Sequence, residues 1–286
     1  MPELPEVETV RLGLNQLTLG QNIWGGDVLR PSTVAHPISA IAFIENLTQT
    51  RIAQWHRRGK YLLAQLQNST AEPKGWLGVH LRMTGQLLWL DRETPLQKHT
   101  RVRLFFEGDR ELRFVDQRTF GQMWGVPPNT PPENIITGLQ KLGPEPFSEA
   151  FSLQYLRERL KGRQRPIKSA LLDQAIVAGV GNIYADEALF ISRIPPLTPC
   201  SQLQPDQIER LRTAVIQVLQ ASIQVGGTTF STFLNAQGIN GNYGGVAWVY
   251  NRTGEPCRVC ETPIVRVKVA GRSAHFCPNC QPSRSH

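Results

Sequence analysis

Through the first 126 residues, apolar and polar positions alternate in short bursts. The stretches Asn22–Arg30, Arg51–His56, Lys60–Gln67, Trp76–Arg82, Gln86–Leu90, Arg101–Phe106 and Glu111–Val115 read as strands, with Gly, Pro, Asn and Asp turns between them. Short strands separated by such turns predict an antiparallel sandwich or barrel. Ahead of them, Pro5–Thr18 reads as a helix, with Pro5 at its first position and Glu6 and Glu8 in its first turn. Ser39–Leu47 reads as a short helix between strands. From Ser148 the period becomes helical. Phe151–Leu160 carries Phe151, Tyr155, Leu156 and Leu160 on one side, and Leu171–Ala178 is a short helix. Gly179-Val180-Gly181 is a tight turn, and Asn182 suits the N-cap of the next helix. Asp206 to about Gln224 is a longer amphipathic helix with Ile208, Leu211, Val215, Val218 and Leu219 toward a core. The chain is therefore of α+β class.

Composition changes character at Gly125–Pro146, a Pro-rich stretch expected to link the halves. The expected division is 1–130 for the helix and sandwich, 131–147 for the linker, 148–235 for the helical domain and 236–286 for the rest. At 286 residues, two or more domains are expected. No apolar run reaches about 18 residues, which excludes a membrane span, and no basic-then-apolar leader opens the chain. The expected location is the cytoplasm, or the nucleoid of a bacterium. Lys and Arg number 31 against 23 Asp and Glu, a net charge of +8 that suggests a polyanionic partner, nucleic acid before membrane.

The candidate chemistry begins at Met1-Pro2-Glu3-Leu4-Pro5-Glu6. When Met1 is removed, as is usual before a small residue such as proline, the chain starts with a secondary amine able to form an iminium with an aldehyde. Glu3, one residue on, can move protons at whatever that amine attacks. A helix start with ordinary capping acids explains the same residues, and both readings stay open at this point. Three loops carry basic or apolar side chains: His56-Arg57-Arg58-Gly59-Lys60, His80-Leu81-Arg82-Met83-Thr84-Gly85 and Asp116-Gln117-Arg118-Thr119-Phe120-Gly121. The first can grip phosphate or be a solvated turn. The others can wedge Met83 and Phe120 into a base stack or pack them in a core. The turn at Gly179–Asn182 can cradle a backbone phosphate on its amides. Near the C-terminus, Cys257-x2-Cys260 and Cys277-x2-Cys280 enclose 16 residues, the spacing of a four-thiolate zinc site. Ile264–Val269 alternates strictly and Ala274–Phe276 returns, predicting a zinc-stabilised hairpin with Arg272 at its tip. Four thiolates fill the metal's coordination, so one zinc of structural kind is expected, with His275 unneeded and Cys200 an isolated thiol.

Together these residues resemble the formamidopyrimidine-DNA glycosylase (Fpg/Nei) family of base-excision repair enzymes. The resemblance runs through Pro2–Thr9, Arg58-Gly59-Lys60-Tyr61, His80–Gly85, Asp116–Gly121, Leu142-Gly143-Pro144-Glu145-Pro146, Gly179–Tyr184 and the hairpin with Gly271-Arg272, in the family's order. It implies an N-terminal helix plus antiparallel β-sandwich domain, then a helix-two-turn-helix domain with a zinc β-hairpin, and damaged double-stranded DNA in a basic cleft of a monomer. It implies that Pro2 attacks C1′ of the damaged nucleotide to form a Schiff base, with Glu3 as proton donor and Glu6 as an auxiliary proton handler. Lys60 serves phosphate binding and β-elimination, and Arg272 serves δ-elimination. His99, Arg118 and Arg163 fall at DNA-contacting positions, Asn182 with Lys168 at the phosphate grip, and Met83, Arg118 and Phe120 at the void left by a flipped lesion. The expected activity is a bifunctional glycosylase and AP lyase for 8-oxoguanine and formamidopyrimidines. The alternatives are an endonuclease VIII-like enzyme for oxidised pyrimidines and a non-catalytic damaged-DNA binder; Leu4 and Val7 favour the purine branch. Two departures stand out: Thr119 replaces a frequent arginine, and the loop 236–245 differs from the usual lesion-recognition sequence.

Overall fold

The first helix begins one residue before Pro5. In the computed structural model, which describes residues 1–227 and 243–282, α1 (Leu4–Thr18) takes Glu3 as its N-cap and holds Pro5 in its second position. Proline is tolerated there because that amide has no acceptor within the helix anyway. The chain divides into two compact units, Met1–Lys141 with Val225–Asn242, and Leu142–Gln224 with Tyr243–His286.

In the first unit α1 is followed by β1 (Asn22–Val28), β2 (Val34–His36), α2 (Ala40–Leu47), β3 (Thr50–Arg58), β4 (Tyr61–Gln67) and β5 (Pro73–His80). Then come β6 (Gly85–Asp91), β7 (Thr100–Phe106), β8 (Arg110–Asp116), β9 (Gln122–Val126) and the single turn α3 (Pro132–Ile135). The strands run in the order β2-β9-β5-β4-β3-β1-β7-β8-β6. β1 is the corner of this sheet. Its first two residues pair with β3, and beyond a bulge at Ile23–Gly25 it pairs with β7. Bulges let one strand serve two layers, as sandwiches require. Gly26 belongs at this corner because a Cβ there would lie 2.3 Å from the Arg103 carbonyl oxygen. The expected antiparallel arrangement holds except at β2, which runs parallel to β9. Both strands are absent from the sequence expectation: β2 is three residues long, and β9 sits against a loop motif that hides its start.

One apolar core takes side chains from α1 (Val7, Val10, Leu14), α2 (Phe43, Leu47) and both halves of the sheet (Trp55, Leu62, Leu77, Leu104, Phe114). Polar bonds fix how α1 lies on it. The Trp55 indole donates to Thr18 Oγ1 at 2.9 Å, while Asn15 accepts from the Trp55 amide at 2.8 Å and donates to its carbonyl at 3.1 Å. On β8, Glu111 and Arg113 are both fully buried and paired, and Arg103 joins them at 2.6 Å. Arg113 also donates to the carbonyls of Thr94 and Pro95 and to Gln97 Oε1, so the strand pins the loop leading to His99.

The second unit contains α4 (Leu153–Leu160), α5 (Ile167–Leu171), α6 (Asn182–Ile191), α7 (Pro205–Gln224) and the hairpin β10 (Val265–Val269) and β11 (Arg272–Phe276). Ser152 caps α4 by accepting the Tyr155 amide. The helix expected at Leu171–Ala178 is corrected: α5 ends at Leu171, and residues 172–181 form turns. Side chains compete with the helix there. Asp173 Oδ1 accepts the Ala175 amide, and Gln174 accepts the Gly179 amide while donating to the carbonyls of Leu172 and Val180. Among the described residues no helix is long and apolar enough to cross a membrane.

Removing one partner of a buried ion pair strands the other. Glu111→Gln should therefore cost about 3–5 kcal/mol, read as a fall of several degrees in Tm by calorimetry, whereas Asp91→Asn on the exposed Arg110 pair should cost less than about 1 kcal/mol.

Candidate active site and zinc centre

A chain terminus frays unless something ties it down. Here Pro2 and Glu3 are buried, and a reciprocal cap holds them. The Glu3 amide donates to Glu6 Oε2 at 2.8 Å, and the Glu3 carboxylate faces the Glu6 amide in return. Glu6 is buried as well, with its carboxylate engaged on the backbone next to Pro2. Gly227, in the left-handed region at φ 78°, passes over it, and a Cβ there would lie 3.1 Å from Glu6 Oε1.

Lys60 sits on the tight β3–β4 turn and is mostly buried. The same α1 that presents Pro2 also fixes this turn. Glu8 accepts from Arg11 and from Arg57 Nε at 2.8 Å, and Arg57 Nη1 donates to the Gly59 carbonyl at 3.1 Å. Burial works against the Glu8 charge, but the hydrogen bonds from Arg11 and Arg57 outweigh it and keep the carboxyl below its ordinary value. His80 is kept neutral: burial, then the charges of Arg82 and Lys60, push it down to about 3. Its Nδ1 accepts the Arg82 amide at 3.0 Å, and its ring meets Tyr61 edge-on at 4.5 Å.

The Met83 and Arg118–Phe120 loops converge on one carboxylate. Asp116 is fully buried; Oδ1 accepts from Thr84 Oγ1 and from the Arg118 amide at 3.2 Å, and Oδ2 accepts the Gly121 amide at 2.7 Å. The Asp116 amide donates to the His99 carbonyl, and Arg101 donates to the Asp116 carbonyl. His99, Met83, Arg118 and Phe120 are thus organised around one acid. Arg118 and Phe120 project into solvent with the guanidinium 4.9 Å from the ring centre, Phe120 being 53% exposed, while Met83 and His99 are half-buried.

In the second unit, Gly181 is the N-cap of α6 and Asn182 its first helical residue, so the helix opens one position earlier than the sequence suggests. Arg163 is exposed. Lys168 is not at the surface. It is fully buried, pairs with Asp186 at 2.6 Å and donates to the Ser273 carbonyl, so a direct phosphate contact does not fit its position. The hairpin turns on Ala270-Gly271, both at positive φ, which puts Arg272 at the start of β11 rather than at the tip. Arg272 is exposed.

The four cysteines form one cluster, with sulfurs within 4.8 Å of one another and individual separations of 3.4, 3.5 and 3.9 Å. Tetrahedral zinc with bonds near 2.3 Å needs sulfurs roughly 3.8 Å apart, so the donor set fits zinc and leaves no position open for substrate. Cys200 is buried elsewhere, and burial pushes its thiol up. The residues that sequence reasoning missed are Asp116, Gln174, Asp186 and Glu187. Nothing in a single sequence separates a buried acid from a surface one. The lesion-loop departure lies, through residue 242, outside the described residues.

Residues 1–123 match the family described as "Formamidopyrimidine-DNA glycosylase N-terminal domain", 142–234 its "H2TH domain", and 254–282 the "Zinc finger found in FPG and IleRS". The chain belongs to the formamidopyrimidine-DNA glycosylase family. Proteins of that name from Acaryochloris marina and Nostoc punctiforme are each 66% identical, over 99% of this chain and 99% and 97% of theirs. Among solved structures, the MutM (Fpg) protein of Thermus thermophilus is 40% identical with a TM-score of 0.87, covering 99% of this chain and all of that one. The Lactococcus lactis Fpg, solved with abasic-site DNA, is 35% identical with a TM-score of 0.89 over 98% of this chain and all of its own.

Two outcomes follow from this geometry. Purified protein should carry one zinc per chain by metal analysis, and Cys277→Ser should lose it together with the fold of 254–282. Asp116→Ala should leave the Gly121 and Arg118 amides without their acceptor, cost about 1–3 kcal/mol and raise hydrogen exchange through 117–121.

Proposed function

We propose that this protein is a bifunctional DNA glycosylase and AP lyase of base-excision repair that removes oxidised purines and then nicks the strand. It would work as a monomer on damaged duplex DNA in the bacterial cytoplasm, at the nucleoid. What carries the reading is a buried, helix-capped Pro2-Glu3 terminus in a chain whose family relatives have been solved on Fapy-dG and abasic-site DNA.

Lesion atoms are inaccessible inside the stack, so the nucleotide must flip, and Met83, Arg118 and Phe120 fill the gap. Once Met1 is removed, the Pro2 nitrogen bonds to C1′ as the bond from C1′ to the base breaks, and the base leaves with a proton. Glu3 delivers a proton to O4′ as the sugar opens, leaving an iminium on Pro2. That electron sink acidifies C2′. Loss of a C2′ proton expels the 3′ phosphate, and loss of a C4′ proton then expels the 5′ phosphate. Lys60 grips phosphate and assists the first elimination, and Arg272 assists the second. Water finally releases Pro2. Asn182 and the amides opening α6 hold a backbone phosphate, with His99 and Arg163 as further DNA contacts. Glu6 serves through the Glu3 amide, holding the acid and the amine in register. The zinc takes no step and stabilises the hairpin that bears Arg272.

Borohydride trapping decides it. Wild-type protein should form a covalent adduct with 8-oxoguanine, formamidopyrimidine and abasic duplexes, with an oxidised-pyrimidine duplex setting the class boundary. Pro2→Gly should cut adduct yield more than tenfold, and Glu3→Gln should abolish base release. Equal trapping by protein that retains Met1 would sink the prolyl mechanism, and abasic duplex bound for hours without a nick would point to a binder.

A further inference from the structure

Arg272 can serve an elimination only if its backbone is held still, and zinc cannot do this alone. An isolated two-stranded hairpin is marginally stable. Arg272 stands five residues from Cys277, roughly 17 Å along an extended strand, so the metal anchors the far end of β11. Between them lies the fully buried pair of Lys168 and Asp186. Lys168 Nζ donates to the Ser273 carbonyl. Asp186 Oδ2 accepts the His275 amide at 2.9 Å and meets His275 Nδ1 at 3.1 Å. The pair therefore grips the backbone immediately after Arg272 and two residues later. The neighbouring Glu187, buried too, accepts the amides of Trp248, Val249 and Tyr250 at 2.7, 2.9 and 2.9 Å, fixing the segment that leads into the finger. Among the described residues no acid pairs with the Arg272 guanidinium itself, so its placement is set by its backbone. A buried ion pair is a poor way to gain stability alone, because apolar residues of similar size often do as well or better. What it supplies here is register between α6, which opens on the phosphate-cradling turn, and the strand bearing Arg272.

We infer that Lys168 and Asp186 are positioning residues for Arg272 that set how often β-elimination proceeds to δ-elimination. The inference rests on the role proposed above for Arg272. The experiment reads the two 3′ ends, unsaturated aldehyde against phosphate, on an abasic duplex with full-length, zinc-loaded protein. Lys168→Met with Asp186→Asn removes both charges together, leaving neither buried alone. It should lower the δ-to-β product ratio at least fivefold while β-elimination and one zinc per chain persist; if that protein does not fold, Lys168→Arg, which keeps both charges of the pair but changes the donor that meets the Ser273 carbonyl, is read the same way. Leu219→Ala, a cavity in α7 of the same unit, controls for lost stability and should leave the ratio within twofold of wild type. Arg272→Gln should lower the ratio as the double variant does. An unchanged ratio in the double variant beside a lowered one in Arg272→Gln overturns the inference. So does an equal fall in Leu219→Ala. An unchanged ratio in Arg272→Gln overturns the role of Arg272 itself.

Discussion

The proposed nucleophile is the end of the chain, and chain ends are the least ordered part of most proteins. The constraint on this fold is to hold that end without using up its amine. The cap does so through the next residue. The Glu3 amide is tied to Glu6 and the helix it opens is locked to β3 through Asn15, Thr18 and Trp55, so Pro2 is fixed from its carbonyl side. The same helix reaches sideways through Glu8 and Arg57 to the turn bearing Lys60. Two groups proposed for one reaction thus share a support, and neither depends on a long loop.

Carboxylates repeat this service elsewhere. Asp116 gathers two loops, Glu187 gathers three consecutive amides, and Asp186 holds the strand after Arg272. Each is buried and accepts backbone N–H groups, bonds that an ionised oxygen makes about twice as strong as a neutral one does. Burial, with the neighbouring Asp186 charge, holds the Glu187 carboxyl above its ordinary value, and its three amides work against that shift. Turning acids inward also sharpens the charge balance, since a chain of net charge +8 with buried acids leaves its surface more basic than composition states.

Much of the frame was legible because its signals are local. Short apolar stretches between turn residues marked seven strands, the CxxC spacing marked the metal cluster, and a proline beside acids marked the start of α1 within a residue. What stayed hidden is non-local. β2 has three residues and is a strand only because β9 lies beside it. Leu171–Ala178 carries helical apolar spacing, yet Gln174 pulls the backbone into turns through partners up to six residues away. Lys168 stands in a basic run that reads as a surface stripe, and only Asp186, distant in sequence, explains its burial.

Thr119 shows how a departure from the family's pattern can leave a loop intact. It occupies the left-handed region at φ 56°, as Arg82 does at φ 54° in the Met83 loop, a conformation that costs a β-branched residue more than most. Such strain persists only where neighbours over-determine it. Asp116 supplies those neighbours, accepting the amides on both sides of Thr119, at Arg118 and Gly121, and the hydroxyl of Thr84 beside Met83. The loop's shape is thus imposed by backbone bonds to a buried acid, and the side chain at 119 is free to vary. An arginine there would add a charge at the surface while the bonds from the Arg118 and Gly121 amides to Asp116 stay in place.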